Sequence, residues 1–298
     1  MSSRFNMLNE KELVVLPNEV QYGLIYETII GSESYGLAKE GSSDIDVAAV
    51  CIPQKEDVFP HLKSEILGFG KQTKQFTTWQ KHHILDKDSG KEYDLTAYGL
   101  VKFFSLCYDN NPNLLDVLYS PDNCVVYATP ISDLMRNNRD LFLSKQAYKT
   151  CVAYSYSQLK KLRTKVPLIE SKRYESYVKL SYDSKYAMHL FRLILQAEQI
   201  LSEHTLDLQK NKEQLKSVRA GELTLDQIEG FFFRKEKQLE ELYVKSTLQH
   251  KPNEAKIKAL LLECLEMHYG SLEKAVYIAP DLENDLKMIS KIVNKYNY

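Results

Sequence analysis

The 298-residue sequence has few cysteines and no long hydrophobic run, and each absence excludes a class of protein. It contains no stretch of about 18 apolar residues, the length that a membrane-spanning helix requires. Its first twenty residues lack the apolar segment of a secretory signal. The few cysteines are scattered and form no CxxC pair: Cys51, Cys107, Cys124, Cys151 and Cys264. Their spacing excludes a disulfide scaffold and a zinc ribbon, and it favours a reducing compartment. We therefore expect a cytoplasmic protein.

Excess charge is also absent, because the net charge is only −1, but the charges are unevenly distributed. Residues 145–192 hold 11 Lys/Arg against 3 Asp/Glu, together with seven tyrosines. Basic charge for phosphates and aromatic rings for stacking are what binding of an RNA end requires. A tyrosine-rich helical core with a solvated basic rim accounts for the same pattern equally well.

Hydrophobic periodicity divides the chain near residue 130 into a mixed α/β part and a helical part. Strand character is found at 24–30, 45–52, 71–84 and 93–97. Helical periodicity is found at 145–163, 174–203, 224–246, 253–269 and 281–295. Asn111 before Pro112 predicts a helix start, and Thr224 with Gln227 predicts a capping box. We expect an α+β fold with a mixed α/β domain at 1–130 and a helical domain at 131–298.

A pair of carboxylates opens the second predicted strand. Asp44 and Asp46 are two residues apart, so both side chains point to the same face of the sheet. Two adjacent carboxylates repel each other unless cations lie between them, and Mg²⁺ prefers such oxygen ligands when it also binds phosphates. Asp94 on a neighbouring strand is the best candidate for a third ligand, with Glu92 in reserve. The alternatives are two solvated aspartates at a strand start and an ordinary turn residue at position 94.

The strand at 24–30 ends in Gly31-Ser32 and is followed by a short helix. A strand that turns into a helix at Gly-Ser presents backbone N–H groups and a hydroxyl to an anion. We therefore expect Gly31 and Ser32 to bind the phosphates of a nucleotide. Ser43, directly before Asp44, is a further nucleotide-binding candidate. Tyr35 is a further candidate, although core packing explains it as well.

Three basic residues recur on one face of a later helix at spacings of four and three: Lys185, His189 and Arg192. They are candidate contacts for a triphosphate or an RNA end, and the alternative is a solvated helix face with Asp183 as a local partner. The adjacent pair His82-His83 is a weaker candidate for metal binding, because neighbours on a regular strand point to opposite faces.

The segment from Gly-Ser to Asp-x-Asp resembles the signature of the DNA polymerase β nucleotidyltransferase superfamily, and in particular its RNA-repair or RNA-ligase-associated branch. The likeness covers roughly residues 20–245, and Tyr186 stands where the family suggests His. Its strings are GSESYGLAKEGSSDIDVAAV (31–50), YDLTAYGLVKFFSLCYDNNPNLLDVLYSP (93–121), AYSYSQLKKL (153–162), YDSKYAMHLFRLI (182–194) and GELTLDQIE (221–229). The resemblance implies that residues 1–130 form a catalytic domain, with a small mixed sheet that carries the metals at one edge. It also implies that residues 131–298 form a helical nucleotide- or acceptor-binding domain that closes over the nucleotide.

The activity implied is transfer of a nucleoside monophosphate from an NTP such as ATP to a hydroxyl, with release of pyrophosphate. Two Mg²⁺ or Mn²⁺ ions would be held by Asp44, Asp46 and Asp94. The expected acceptor is an RNA end such as that of a tRNA. A protein or small-molecule hydroxyl as acceptor, and a non-catalytic nucleotide- or RNA-binding relative, remain open. The sequence leaves open the base, the number of nucleotides added, the oligomeric state and the role of residues 250–298.

Overall fold

A computed structural model describes residues 3–38, 44–55, 76–170, 172–270, 287 and 289–290. The strands are β1 (Leu24–Ile29), β2 (Asp44–Cys51), β3 (Thr78–Asp86), β4 (Lys91–Gly99) and β5 (Val125–Ala128). They form one sheet in the order β3-β4-β2-β1-β5, with β2 in the middle. Strand β2 runs parallel to β4, and the other pairs are antiparallel. This small mixed sheet confirms the α+β class.

Helices flank the sheet and then make up the rest of the described chain. Those of the first part are α1 (Arg4–Glu10), α2 (Asn18–Gln21), α3 (Leu100–Tyr108), α4 (Pro112–Leu118) and α5 (Pro130–Asn137). Those that follow are α6 (Gln146–Thr164), α7 (Lys172–Leu180), α8 (Ser184–Glu203), α9 (Lys212–Ala220), α10 (Leu225–Lys245) and α11 (Glu254–Tyr269). Short 3-10 turns lie at Asp122–Cys124 and Arg139–Phe142.

The central strand is apolar because it is buried on both faces. Val47 and Ala49 belong to the core that α1 forms with one face of the sheet. Ala48 and Val50 belong to the core formed with α3, α4 and α5 on the other face. A strand covered on both sides is expected to be a nearly continuous hydrophobic run, and in β2 that run begins only after Asp46.

The helical part has a core of its own, in which α6 packs along α8 and α9 and α10 also contact α8. Helix α11 instead returns to the first part, where it packs against α3 and α5. Its buried residues Ile257, Leu260 and Cys264 join the core behind the sheet. The boundary at residue 130 stays a prediction, and residues 254–269 contribute to the support of the sheet.

Several predicted elements are found with small shifts of their ends, and the two predicted caps are present. The Asn111 side chain accepts from the Asn113 N–H, and Thr224 and Gln227 form the reciprocal capping box. The single helix expected at 174–203 is wrong. It divides into α7 and α8, because Ser181 adopts a left-handed φ of 63° and Asp183 caps a new helix start. The predicted helix at 281–295 and the first part of the strand at 71–84 lie largely outside the described residues.

The cysteines agree with the absence of a disulfide framework, since all five are buried and unpaired with one another. Across the described ranges, no helix has the combination of length and apolar character needed to cross a membrane.

Candidate active site

Four carboxylates lie on two adjacent parallel strands at the point where the buried run of β2 begins. The register pairs Asp44 with Glu92 and Asp46 with Asp94. Residues in register on neighbouring strands, and residues two apart on one strand, project from the same face of a sheet. The strand pairing therefore places all four side chains in one acidic patch.

Asp46 is exposed to solvent just before the buried run of β2 begins. Part of its side chain meets solvent, yet burial by the surrounding atoms raises its pKa, and the charges of Asp94 and Asp44 raise it further. The charges of Lys185 and His82 oppose this rise. Asp46 therefore carries a negative charge that its surroundings disfavour, a condition that a bound cation would relieve.

The turn after β1 lies directly against this carboxylate. Gly31 has a φ of +72°, and a Cβ added there would lie 2.6 Å from Oδ2 of Asp46. Any other residue would therefore be strained and would also displace the carboxylate. The turn spans residues 31–36 and is closed by N–H bonds from Gly36 to the Glu33 carbonyl at 2.9 Å and from Leu37 to the Ser32 carbonyl at 2.8 Å. It replaces the short helix expected here.

A cavity of about 320 Å³ opens between this turn and the start of β2. Ser32, Asp44 and Asp46 line it, as do two cations that the sequence patterns did not single out, Arg4 and Lys91. Arg4 comes from the first turn of α1, whose attachment to the sheet is fixed by the buried Glu27. That carboxylate accepts from the Ser3 hydroxyl at 2.5 Å and from the Arg4 N–H at 2.7 Å. The cavity thus combines carboxylates, a hydroxyl and positive charge.

Asp94 contacts an irregular part of β3. The register between β3 and β4 shifts between Lys81 and Ile84, and His83 adopts a φ of 57°. The His83 N–H donates to Asp94 at 2.8 Å, and Nδ1 of His82 lies 3.4 Å from the other oxygen of Asp94. Nδ1 of His83 lies 2.5 Å from Glu92. Because this bulge breaks the alternation of side chains, both imidazoles reach the carboxylates, which a regular strand would forbid.

The donor set suits a hard cation, since it consists of adjacent carboxylates with one raised pKa. Within the described residues, however, no three carboxylate, imidazole or thiol groups already form a cluster that could hold a metal ion. Asp94 instead contacts the bulge of β3, through the His83 N–H and the His82 imidazole.

The sequence matches the RNA repair pathway DNA polymerase beta family over residues 7–277. The chain belongs to this family. A comparison with curated proteins gives no significant match. The family assignment confirms the resemblance carried by the Gly-Ser turn and the Asp-x-Asp pair, and it indicates a nucleotidyltransferase-like activity connected with RNA repair.

In this polymerase β family member, helix α8 brings only part of its predicted basic face to the acidic patch. Lys185, in the first turn of α8, lies close enough for its charge to lower the pKa of Asp46. His189 is half-buried one turn later. Arg192 differs from the expectation of an exposed contact, because it is buried and its Nη1 donates to Asp116 at 2.6 Å and to the Tyr35 hydroxyl at 2.5 Å.

The remaining predicted nucleotide-binding residues differ in their positions. Tyr35 is buried in the core, where its hydroxyl donates to Asp116, so its ring is not presented to the cavity. Gly31 and Ser32 lie in the turn at the cavity. Ser43 lies outside the described residues.

Proposed function

We propose that this chain is a metal-dependent nucleotidyltransferase that transfers a nucleoside monophosphate from an NTP to a hydroxyl at an RNA end. The observation that carries the proposal is the register of Asp46 with Asp94, next to a glycine turn that packs on the Asp46 carboxylate. A turn of this kind lets phosphates approach the backbone, while the carboxylates hold the cations that accompany them.

The residues that line the 320 Å³ cavity offer the triphosphate of an NTP both a hydrogen-bond donor and positive charge. Ser32 supplies a hydroxyl donor beside the turn, and Arg4 and Lys91 supply positive charge for the triphosphate. Lys185 approaches from α8 and adds a further cation near Asp46. Arg192 acts indirectly, because its bonds to Asp116 and Tyr35 fix the turn on which Ser32 stands.

Asp44, Asp46 and Asp94 are the residues that would hold Mg²⁺ or Mn²⁺. When bound, such ions neutralise the charge of the triphosphate, polarise the α-phosphate and lower the pKa of the attacking hydroxyl. Without them, the repulsion that raises the pKa of Asp46 would also oppose the approach of a triphosphate.

The reaction forms a bond between the acceptor oxygen and the α-phosphorus and breaks the bond from that phosphorus to the bridging oxygen of pyrophosphate. The acceptor hydroxyl loses its proton, and pyrophosphate leaves with the electron pair. Asp94 lies on β4, on the opposite side of β2 from the Gly31 turn. We assign it to the acceptor side of the site, where its carboxylate would take this proton. The protein contributes by positioning and by electrostatics, with no covalent intermediate.

RNA is the acceptor that the charge pattern favours, since 11 basic residues and seven tyrosines fall within residues 145–192. The family name points in the same direction. Hydroxyls of proteins and of small molecules are the competing acceptors, because the same donor set would serve them.

The test is incubation with each α-³²P-labelled NTP, Mg²⁺ or Mn²⁺, and total RNA, with the Asp44→Ala/Asp46→Ala double variant as the matched control. We expect label on an RNA species with the wild-type chain alone. Label on protein or on a small molecule would replace the RNA acceptor. If no acceptor pool is labelled with either metal, the chain is a binding protein and the catalytic roles of the carboxylates are withdrawn.

A further inference from the structure

A second and larger cavity lies in the helical part, and it shares no lining residue with the first. Its volume is about 580 Å³, and α6 forms one wall. The other wall is formed by the end of α10 and the connection that leads to α11. The residues that matter for its chemistry are Lys149, Thr150, Tyr154, Tyr243, His250 and Lys251. The sequence patterns singled out the α6 side of this cavity as basic and tyrosine-rich but not the α10 side.

The aromatic walls of this cavity are held in place by neighbouring groups. Tyr243 packs against Tyr148 with ring centroids 5.3 Å apart, and Nζ of Lys145 lies 5.5 Å from the Tyr243 ring. The Tyr243 hydroxyl lies 3.3 Å from Nδ1 of His250. Across the cavity, the Tyr154 hydroxyl accepts from Nδ2 of Asn111 at 3.4 Å, and the residue remains 39% exposed.

The rim is positively charged. Lys149, His250 and Lys251 are exposed there, and the lining within the described chain contains no carboxylate. On α10, Glu236 and Glu240 lie close enough for their charges to act on Tyr148, and they precede Tyr243 by about two turns and one turn of the helix. Aromatic rings beside lysines suit a ligand with a flat base and an attached phosphate, because bases stack on tyrosine and phosphates pair with lysine.

The exposed face of α6 connects this cavity to the acidic patch. Thr150, Tyr154 and Lys161 lie four and seven residues apart and therefore share one side of the helix. Nζ of Lys161 lies 5.9 Å from the ring of Tyr186, the neighbour of Lys185. The separation of 11 positions between Thr150 and Lys161 corresponds to about 16 Å at the rise of an α-helix. A chain whose end reacts at Asp46 would thus meet the cavity some distance upstream of that end.

We propose that the α6–α10 cavity binds a nucleotide of single-stranded RNA upstream of the reacting end. The base stacks between Tyr154 and Tyr243, and Lys149 and Lys251 pair with the flanking phosphates. This inference rests on the proposed function in one respect, namely that the acceptor is RNA. It adds a second binding site, at which the RNA acceptor binds whether or not an NTP is bound.

The experiment measures binding of a fluorescein-labelled, short single-stranded RNA of mixed sequence to the full chain by anisotropy at several salt concentrations. Charge reversal in Lys149→Glu/Lys251→Glu should weaken binding at least about tenfold and flatten the slope of log Kd against log salt by about 1.4, or ~0.7 for each lost contact. Tyr154→Ala should weaken binding about five- to hundredfold, and Tyr154→Phe should keep it near the wild-type value. The matched control is Lys216→Glu, an exposed lysine of α9 that pairs with Glu213.

Two results would overturn the proposal: RNA affinity and salt slope that both cavity variants leave unchanged, or a wild-type chain that does not bind the RNA. Folding is checked by the thermal melt of each variant, and Tyr154→Phe provides a variant that preserves packing. The Asp44→Ala/Asp46→Ala chain separates the two proposals, because it should lose transfer and keep RNA binding. If the cavity variants still transfer nucleotides to RNA and bind it normally, only the proposal of RNA binding in the cavity is refuted. If RNA binding depends on the cavity but no transfer occurs, only the proposed transferase activity is refuted.

Discussion

Nη1 of Arg192 lies 2.6 Å from Oδ2 of Asp116 in a buried ion pair that joins α8 of the helical part to α4 behind the sheet. The same nitrogen reaches the Tyr35 hydroxyl, and Gln196 donates to the second oxygen of Asp116 at 2.5 Å. Burial raises the pKa of Asp116, while Arg192, Tyr35 and Gln196 lower it. One guanidinium therefore links the two helical layers to the turn that begins at Gly31.

Removing one partner of this pair should be strongly destabilising, since it leaves the other charge buried without compensation. We expect Arg192→Met to lower the free energy of unfolding by about 3–5 kcal/mol, measured by urea denaturation. Arg163→Met, which breaks the exposed pair with Glu229, should cost less than about 1 kcal/mol. The double variant Arg192→Met/Asp116→Leu should recover much of the loss. Equal costs for Arg192 and Arg163 would contradict the structural role.

Replacement of Asp46 should stabilise the fold in the absence of metal while it abolishes transfer. The pKa of Asp46 is raised in the folded chain, so the folded state favours the protonated carboxyl. Its contribution to the free energy of unfolding is therefore complete below the unfolded pKa and is lost as the pH rises through the folded pKa. At pH 7 the wild-type chain therefore carries an unfavourable charge, and Asp46→Asn should melt at a higher temperature. The difference should vanish well below pH 3.8, the ordinary pKa of the group.

The same pair of proteins tests the metal. Mg²⁺ or Mn²⁺ that binds the folded state raises the melting temperature by mass action. We expect this increase for the wild-type chain and a much smaller one for Asp46→Asn at equal ion concentration. An equal increase in both would place the ion elsewhere.

Asp94 and Glu92 should differ in their effect on transfer, although both contact His83 and lie on the same face of β4. We expect Asp94→Asn to reduce kcat by about 10²–10³, a loss typical of removing a group that stabilises the transition state. Glu92→Gln should stay within about tenfold of the wild type, because its register partner is Asp44 at the outer end of the patch. The reverse order, measured in a single-turnover assay, would make Glu92 the third ligand.

Lys185 should matter for the nucleotide rather than for the fold. Lys185→Met removes the cation of α8 whose charge acts on Asp46, and we expect the KM for NTP to rise about tenfold or more. Lys185→Arg should recover part of the loss. The comparison is Lys210→Met, a surface lysine paired with Glu203, for which KM should not change.

Local patterns in the sequence predicted the part of the site that depends on local geometry. The two-residue period of a strand places Asp44 beside Asp46, and the side chains of Asn111 and Thr224 cap helices a few residues away. These features depend on the chain within one or two turns of each residue. The end of β1 at Gly31 was also predicted from the sequence, but the short helix expected after it is a turn, and the contact of Gly31 with the Asp46 carboxylate was not predicted.

What the patterns missed depends on contacts between distant parts of the chain. Arg192 shares a helix face with Lys185, but it is buried because Asp116, 76 residues earlier, lies opposite it. The bulge at His82 and His83 arises where β3 meets β4, and alternation alone predicts a regular strand there. The return of α11 to the sheet is also invisible to periodicity, which reports a buried face without identifying its partner.

The central position of β2 has a consequence for how the carboxylates respond to heat. Strand β2 is hydrogen-bonded to β1 on one side and to β4 on the other, whereas β3 and β5 lie at the edges of the sheet. Edge strands open in local fluctuations, and amides of central strands exchange with solvent only when the sheet itself opens. Asp46 and Asp94 thus lie on two of the three interior strands, which open later than the edge strands. Warming should leave their spacing intact until the whole sheet unfolds, so that activity and global structure are lost in a single transition.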